Sequence, residues 1–434
     1  MFLQIFIICN IMLLGLTLLI DRDILNPNYL FLMGWTVAGI TVFFTDFSYD
    51  ADSVAFLYLA LGSIVFCFGN LLGHGAINKD GVDDRRLSAR MLPNYRLLAL
   101  IQLVQLLAVA YSLIGFRGRL ASSSGGNIVQ SYLYSRDASG AGSRSGYLIN
   151  VNSAVCIVLL LYYRWIPESE RKRYIRYMLF EAVIYVVMLF LRFTRNSVLL
   201  YSSPLLFVYF FISNKDNGSR IKSIALCLFA FLIFFVAYSR LKYDYLYTDD
   251  NFITLSTREL SGYLSGGIVA FQKVFDISDF PATGGENTFR FFIAVFDRLR
   301  GTTTARKLVQ QYTELGGSSI TNVYTFYHWY ICDFGLAYGL LMQFFIAFLH
   351  GRLYKLIFRG SLYGTYLYCL MTGPLLLQFF QDEYFSLSSN WLQTILVGVL
   401  FIWLQDLVWR IPMLGGQHSK QLCGSLDRQG ITSD

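Results

Sequence analysis

Arg192 and Arg195 stand in the stretch LFLRFTRNSVLL, between two apolar runs. Ionisable side chains held at membrane depth are costly, so they usually have a pairing partner or a function. A guanidinium stays charged and donates two parallel hydrogen bonds, which suits it to phosphate. The pair is therefore a candidate diphosphate site, with snorkelling to lipid headgroups as the alternative. Arg290, in GGENTFR, is a third cation set at headgroup depth by an amphipathic pattern. A second constellation occupies residues 320–339, ITNVYTFYHWYICDFGLAYG. Were that segment helical throughout, Asn322, Thr325, Trp329 and Asp333 would share one face at offsets of 3, 7 and 11 and line a cavity. His328 points elsewhere on such a helix. It is either a general base or a structural histidine in an aromatic segment. Asp333 is either a base or a favourable charge at a helix N-terminus.

Other chemistry is excluded by what surrounds it. The triplet Asp333, Phe334, Gly335 imitates a kinase magnesium motif but has no Gly-rich loop or catalytic-loop partner. The four histidines are scattered and the seven cysteines form no paired motif, so no metal site or cofactor is expected. Asp21, Arg22, Asp23 has the form of a nucleotide-sugar motif, but the charge pattern places it inside. Glu181, within an apolar run, is expected to face the bundle and to pair with an arginine.

The elements that must position these residues are membrane helices. A chain that is 55% hydrophobic and 15% charged, with mean hydropathy +0.49, is neither a soluble enzyme, a secreted scaffold nor a disordered chain. Apolar runs of about 20 residues predict about eleven transmembrane helices in an all-α polytopic membrane protein. They lie near 1–20, 29–44, 53–73, 95–115, 147–165, 177–192, 196–213, 223–239, 334–351, 361–380 and 388–408. The N-terminal run reads as a retained span and not a signal peptide. With the N-terminus outside, the inner loops hold 20 Lys and Arg against 6 in the shorter outer loops, which sets the orientation. The net charge of +7 is spread over these loops and predicts no nucleic-acid partner.

The expected organisation is an N-terminal bundle of about eight spans over 1–239, a large outer loop over 240–333, C-terminal spans over 334–408 and an inner tail over 409–434. A Ser/Gly-rich loop near 116–146 interrupts the first bundle. Within the large loop, which is expected to hold short or interfacial helices, Phe289, Phe292, Phe296 and Leu299 recur at helical spacing.

In this form the chain resembles the O-antigen polymerases, the Wzy-type oligosaccharide repeat-unit polymerases of Gram-negative bacteria. The likeness rests on the span count with one large late loop, on TNVYT at 321–325 with DFG at 333–335, on the Arg192 and Arg195 hairpin and on GGENTFR at 284–290. The resemblance implies a glycosyltransferase of the bacterial inner membrane, with its large loop and N-terminus periplasmic and its C-terminus cytoplasmic. Such an enzyme passes a growing glycan from undecaprenyl pyrophosphate to a new lipid-linked repeat unit. Arg192, Arg195 and Arg290 would then bind the diphosphate, Asn322, Thr325 and Trp329 the glycan, and Asp333 or His328 would act as base. The implied partners are the undecaprenyl-pyrophosphate-linked oligosaccharide, membrane lipids and a chain-length regulator protein. Two alternatives stay open: an O-antigen ligase, which uses the same donor, and a lipid-linked oligosaccharide flippase or other transporter.

Overall fold

A computed structural model describes residues 1–75, 94–121, 145–192, 195–213, 216–243, 252–278, 280–302, 312–316 and 319–410. Most of the Ser/Gly-rich stretch and the tail after 410 lie outside the described residues. A helix occupies each of the eleven apolar runs. The first eight are α1 (Phe2–Ile20), α2 (Pro27–Val42), α3 (Val54–His74), α4 (Tyr95–Ala121), α5 (Ser145–Tyr163), α6 (Glu168–Arg192), α7 (Arg195–Ile212) and α8 (Asn217–Tyr243). Between them and the C-terminal helices come α9 (Phe252–Asp276), α10 (Arg290–Arg300), the hairpin β1 (Thr313–Gly316) and β2 (Ser319–Thr321), and α11 (Tyr327–Phe334). The chain then continues as α12 (Leu336–Phe358), α13 (Leu362–Leu376) and α14 (Ser388–Arg410).

Five of these helices, α1, α3, α4, α8 and α12, are long and apolar enough to cross a membrane, and α5 and α7 are shorter apolar helices. This is the architecture of a helical membrane protein. Leu103, Val104, Leu107 and Ile114 of α4, and Leu226, Phe229 and Ile233 of α8, are exposed. Apolar side chains turned outward on helices whose backbone bonds are satisfied internally suit a lipid surround.

Caps fix where helices start. Asn26 accepts from the Asn28 amide at 2.9 Å ahead of Pro27 at the first turn of α2, and Ser361 accepts from the Gly364 amide at 3.1 Å at α13. The closest pair is α3 with α12. A Cβ on Gly69 would fall 2.6 Å from the Phe344 carbonyl, and one on Gly351 would fall 2.4 Å from the Asn70 carbonyl. Small residues thus let the two backbones touch, as membrane helices do when no hydrophobic force joins them. Around this pair pack α1, α2 and α9, while α5 gathers α6, α7 and α14, and α13 bridges the groups through α7 and α12.

Two expectations change. The 240–333 segment holds the short helices α10 and α11, and with them one long helix that was not expected. Its α9 spans 25 residues, packs on α2 and α3 and buries Ile268, Val269, Ala270 and Phe271 in the common core. Glu181 is buried in the bundle as expected, but its carboxylate takes the Gln105 amide at 2.8 Å in place of an arginine.

Candidate functional site

Two stretches that are remote in sequence meet at Asp333, the penultimate residue of α11. Its carboxylate is 5% exposed. One oxygen accepts from the Thr283 hydroxyl at 2.5 Å, the Asn287 amide nitrogen of the backbone at 3.2 Å and the Asn287 side chain at 2.9 Å. The other accepts from the Thr288 backbone N–H and hydroxyl, both at 2.6 Å. The Thr283 N–H also donates to the Cys332 carbonyl at 3.0 Å. GGENT is therefore fastened to DFG. Gly285, at φ 91°, makes the crossing possible, because a Cβ there would lie 2.8 Å from the Phe334 ring. Gly335, at φ 85°, ends α11 and frees α12 to leave in a new direction.

The donors to Asp333 come from the 283–288 turn and not from the first turn of α12, so the helix-terminus role expected for it is not the one realised. Five donors on one carboxylate make it a positioning group, which sets the chain direction into α10. Arg290 opens that helix, half-buried, with its pKa held below the usual range by desolvation. No described residue gives its guanidinium a hydrogen bond or an ion pair. Phe292, Phe296 and Leu299 follow as an exposed apolar stripe, in accord with the amphipathic spacing.

The end of α6 and the start of α7 lie at the same end of the bundle. Arg192 closes α6 and Arg195 opens α7, while their side chains lie outside the described residues. The next residue, Asn196, donates to the fully buried Glu383 at 2.6 Å, which also takes the Gln381 amide. Beside it, Asp382 accepts from the Tyr330 hydroxyl at 2.9 Å and from Ser386 through its N–H at 2.9 Å and its hydroxyl at 3.0 Å. Burial pushes the Asp382 carboxyl up from the ordinary value. Tyr330 stands one turn before Asp333 on α11. Separate polar contacts thus tie the start of α7 to the 381–386 loop, that loop to α11, and α11 to the 283–288 turn that leads into Arg290. In the sequence, Asp382 and Glu383 are two among several carboxylates that lie between apolar runs. Adjacent acids between two apolar runs are the signal that would have ranked them.

The other expected site residues are not brought into one face. Helix α11 begins only at Tyr327, because Ser319–Thr321 pairs with β1 and residues 322–325 run without helix. Asn322 is half-buried in that linker, off the helix that carries Trp329 and Asp333. Thr325 is fully buried, and its hydroxyl has no partner among the described residues. Trp329 is half-buried on α11. His328 lies in an aromatic sandwich, stacked on Tyr324 at 4.2 Å and near Phe280 at 5.9 Å. Burial lowers its pKa to about 4, so the ring is neutral at pH 7. It makes no hydrogen bond to Asp333.

No family model, curated protein or solved structure matches the chain. Among the described residues, no group of three or more His, Cys, Asp or Glu is placed to hold a metal ion. What the site offers is positive charge on a fixed backbone, buried carboxylates and aromatic surface. Such a set can bind an anion and orient a hydroxylated group beside it.

Proposed function

We propose that this chain is a lipid-linked glycan polymerase of a bacterial inner membrane, crossing it about eleven times with the α11 end periplasmic. The observation that carries the reading is Arg290, half-buried and unpaired among the described residues, at the start of a helix whose approach is fixed by Asp333. An anion seated there would supply the missing counter-charge. The exposed apolar stripe of α10 would lie in the lipid interface, at the depth where a polyprenyl diphosphate presents its phosphates. Arg192 and Arg195, on the turn next to Asn196, would add to the same field and stabilise the departing diphosphate. The sugar–phosphate bond that breaks is already activated, so transfer needs a hydroxyl acceptor and a proton acceptor but no nucleotide. Glu383, whose carboxylate accepts from Asn196 at 2.6 Å next to Arg195, is the proton acceptor this reading assigns.

The test is the lipopolysaccharide ladder of a deletion strain complemented with Arg290→Ala. We expect the protein at normal level and long chains reduced at least about tenfold, as loss of a charged contact to a leaving group produces. Wild-type ladders would remove the diphosphate role. Core carrying a single repeat unit in the deletion strain supports the polymerase, whereas bare core would point to a ligase.

One observation favours a transport reading as a second. Gln343, His350 and Tyr354 form a buried polar stripe on α12, continued by Gln378 and Tyr384 through contacts of 2.9, 3.5 and 2.8 Å. Purified protein in liposomes that moved the lipid-linked unit without lengthening it would establish that reading instead.

A further inference from the structure

A cleft of about 350 Å³ opens between the 44–47 loop, the first half of α9 and the strands β1 and β2. Its α9 wall is a stripe of Thr254, Thr257, Arg258 and Ser261, at offsets of 3, 4 and 7 that share one face of a helix. Thr45 and Asp46 form the facing wall and Ser319 the hairpin side. The walls are fixed. The Ser48 N–H donates to the Leu315 carbonyl at 2.7 Å, and Lys273 of α9 donates to the Glu314 carbonyl at 2.7 Å. Gly316, at φ 100°, admits the loop, since a Cβ there would lie 2.9 Å from the Ser48 nitrogen. At the rim stands Phe44, 80% exposed.

We infer that this cleft binds a saccharide. The hydroxyls of Thr254, Thr257, Ser261 and Ser319, the Thr45 hydroxyl as an acceptor because its proton goes to the Val42 carbonyl at 2.8 Å, one carboxylate and one guanidinium match a ligand whose own hydroxyls donate and accept. The single positive and single negative group leave no net charge, and a phosphate would meet the Asp46 carboxylate. An apolar ligand would strand the hydroxyls. The volume sits at the small end of ligand pockets, roughly 300–1,000 Å³, so it suits a short piece of glycan with one ring face laid on Phe44. This deepens the polymerase reading, on which it rests for the identity of the sugar, by giving the glycan a holding place apart from the diphosphate.

The experiment is saturation-transfer NMR on the full chain in nanodiscs. The probes are the delipidated polysaccharide of the source strain, its acid-released monosaccharides, and inorganic pyrophosphate. We expect transfer to the polysaccharide or one of its sugars, weakened at least about tenfold by Asp46→Asn and by Arg258→Gln, and reduced by Phe44→Ala. Asp46 and Phe44 are exposed, so those two variants test binding without unfolding the chain. Absence of transfer to every sugar, unchanged binding in Asp46→Asn, or displacement of the sugar by pyrophosphate would each overturn the inference. Arg290→Ala separates the two readings. Sugar binding that survives while its ladders are lost upholds both. Sugar binding with normal ladders keeps the cleft and sinks the diphosphate role, and lost ladders without any sugar binding do the reverse.

Discussion

At one end of the bundle, Asp23 is met by Arg220 at 2.9 Å and by the Tyr354 hydroxyl at 2.8 Å, and Asp21 by the Asn26 amide at 3.1 Å. At the other, Asp333 is met only by neutral donors, while Arg290, the cation its contacts position, has no described partner. The ends are joined by α12, whose Leu336 carbonyl accepts from Tyr58 near Asp333 and whose Tyr354 reaches Asp23. Eighteen residues of helix put them about 27 Å apart, close to the roughly 30 Å of a hydrocarbon core. At the Asp21 end, cation and carboxylate neutralise each other within the fold. At the α11 end the fold uses its carboxylate to hold backbone and leaves its cation to be neutralised from outside. At the second end, Arg290 offers a ligand a charge to satisfy.

The comparison breaks most visibly at Asp333. Asp333→Ala strands five donors, and because hydrogen bonds to a charged acceptor contribute roughly 1.5–3 kcal/mol each without full additivity, we expect a loss of at least about 3 kcal/mol. Thermal unfolding in detergent should show it, and hydrogen exchange should accelerate across 283–289. A variant as stable as the wild type but inactive would make Asp333 a base instead of a positioning group. At the Asp21 end, Asp23→Ala leaves Arg220 and Tyr354 short of an acceptor. It should cost about 1–3 kcal/mol with turnover per folded molecule unchanged. Reduced turnover at full stability would bring that end into the function.

The helices were legible because their signal is local: eleven apolar runs stand out residue by residue. Helix α9 was not, because the hydroxyls and Arg258 along Thr254–Ser261 dilute the apolar stretch Ile268–Phe271 that anchors it. The site was half legible. Asp333 and Arg290 could be chosen by residue type, but the contact between Asp333 and Asn287 closes a loop of 46 residues, and no periodicity reports such a meeting. The face predicted from Asn322 to Asp333 failed because strand pairing at Ser319–Thr321 and the linker after it displace the helix start to Tyr327.

Arg290→Lys sharpens the contrast further. It keeps the charge but loses the planar fork, so we expect stability within about 0.5 kcal/mol of wild type and turnover still reduced several-fold in ladder assays. Full activity would mean that a point charge suffices and that bidentate grip on a diphosphate is not used.

The smallest effect at neutral pH comes from His328, whose consequence grows only in acid. At pH 7 the ring is neutral in the folded chain and mostly neutral in the unfolded one. Below the ordinary value of 6.5 the unfolded chain takes up a proton that the folded chain refuses until about 4, so stability falls as pH drops through that window. By about pH 5.5 the loss should reach roughly 1 kcal/mol. Asp382 works in the opposite sense, since its raised pKa lets the folded chain bind a proton more readily than the unfolded one. His328→Phe keeps an aromatic ring against Tyr324 and removes the titration. Its unfolding temperature should therefore match the wild type near pH 7 and decline less steeply toward pH 4. If the two declines run parallel, protons enter the fold elsewhere, and the α11 end is no more acid-sensitive than the end held by Arg220.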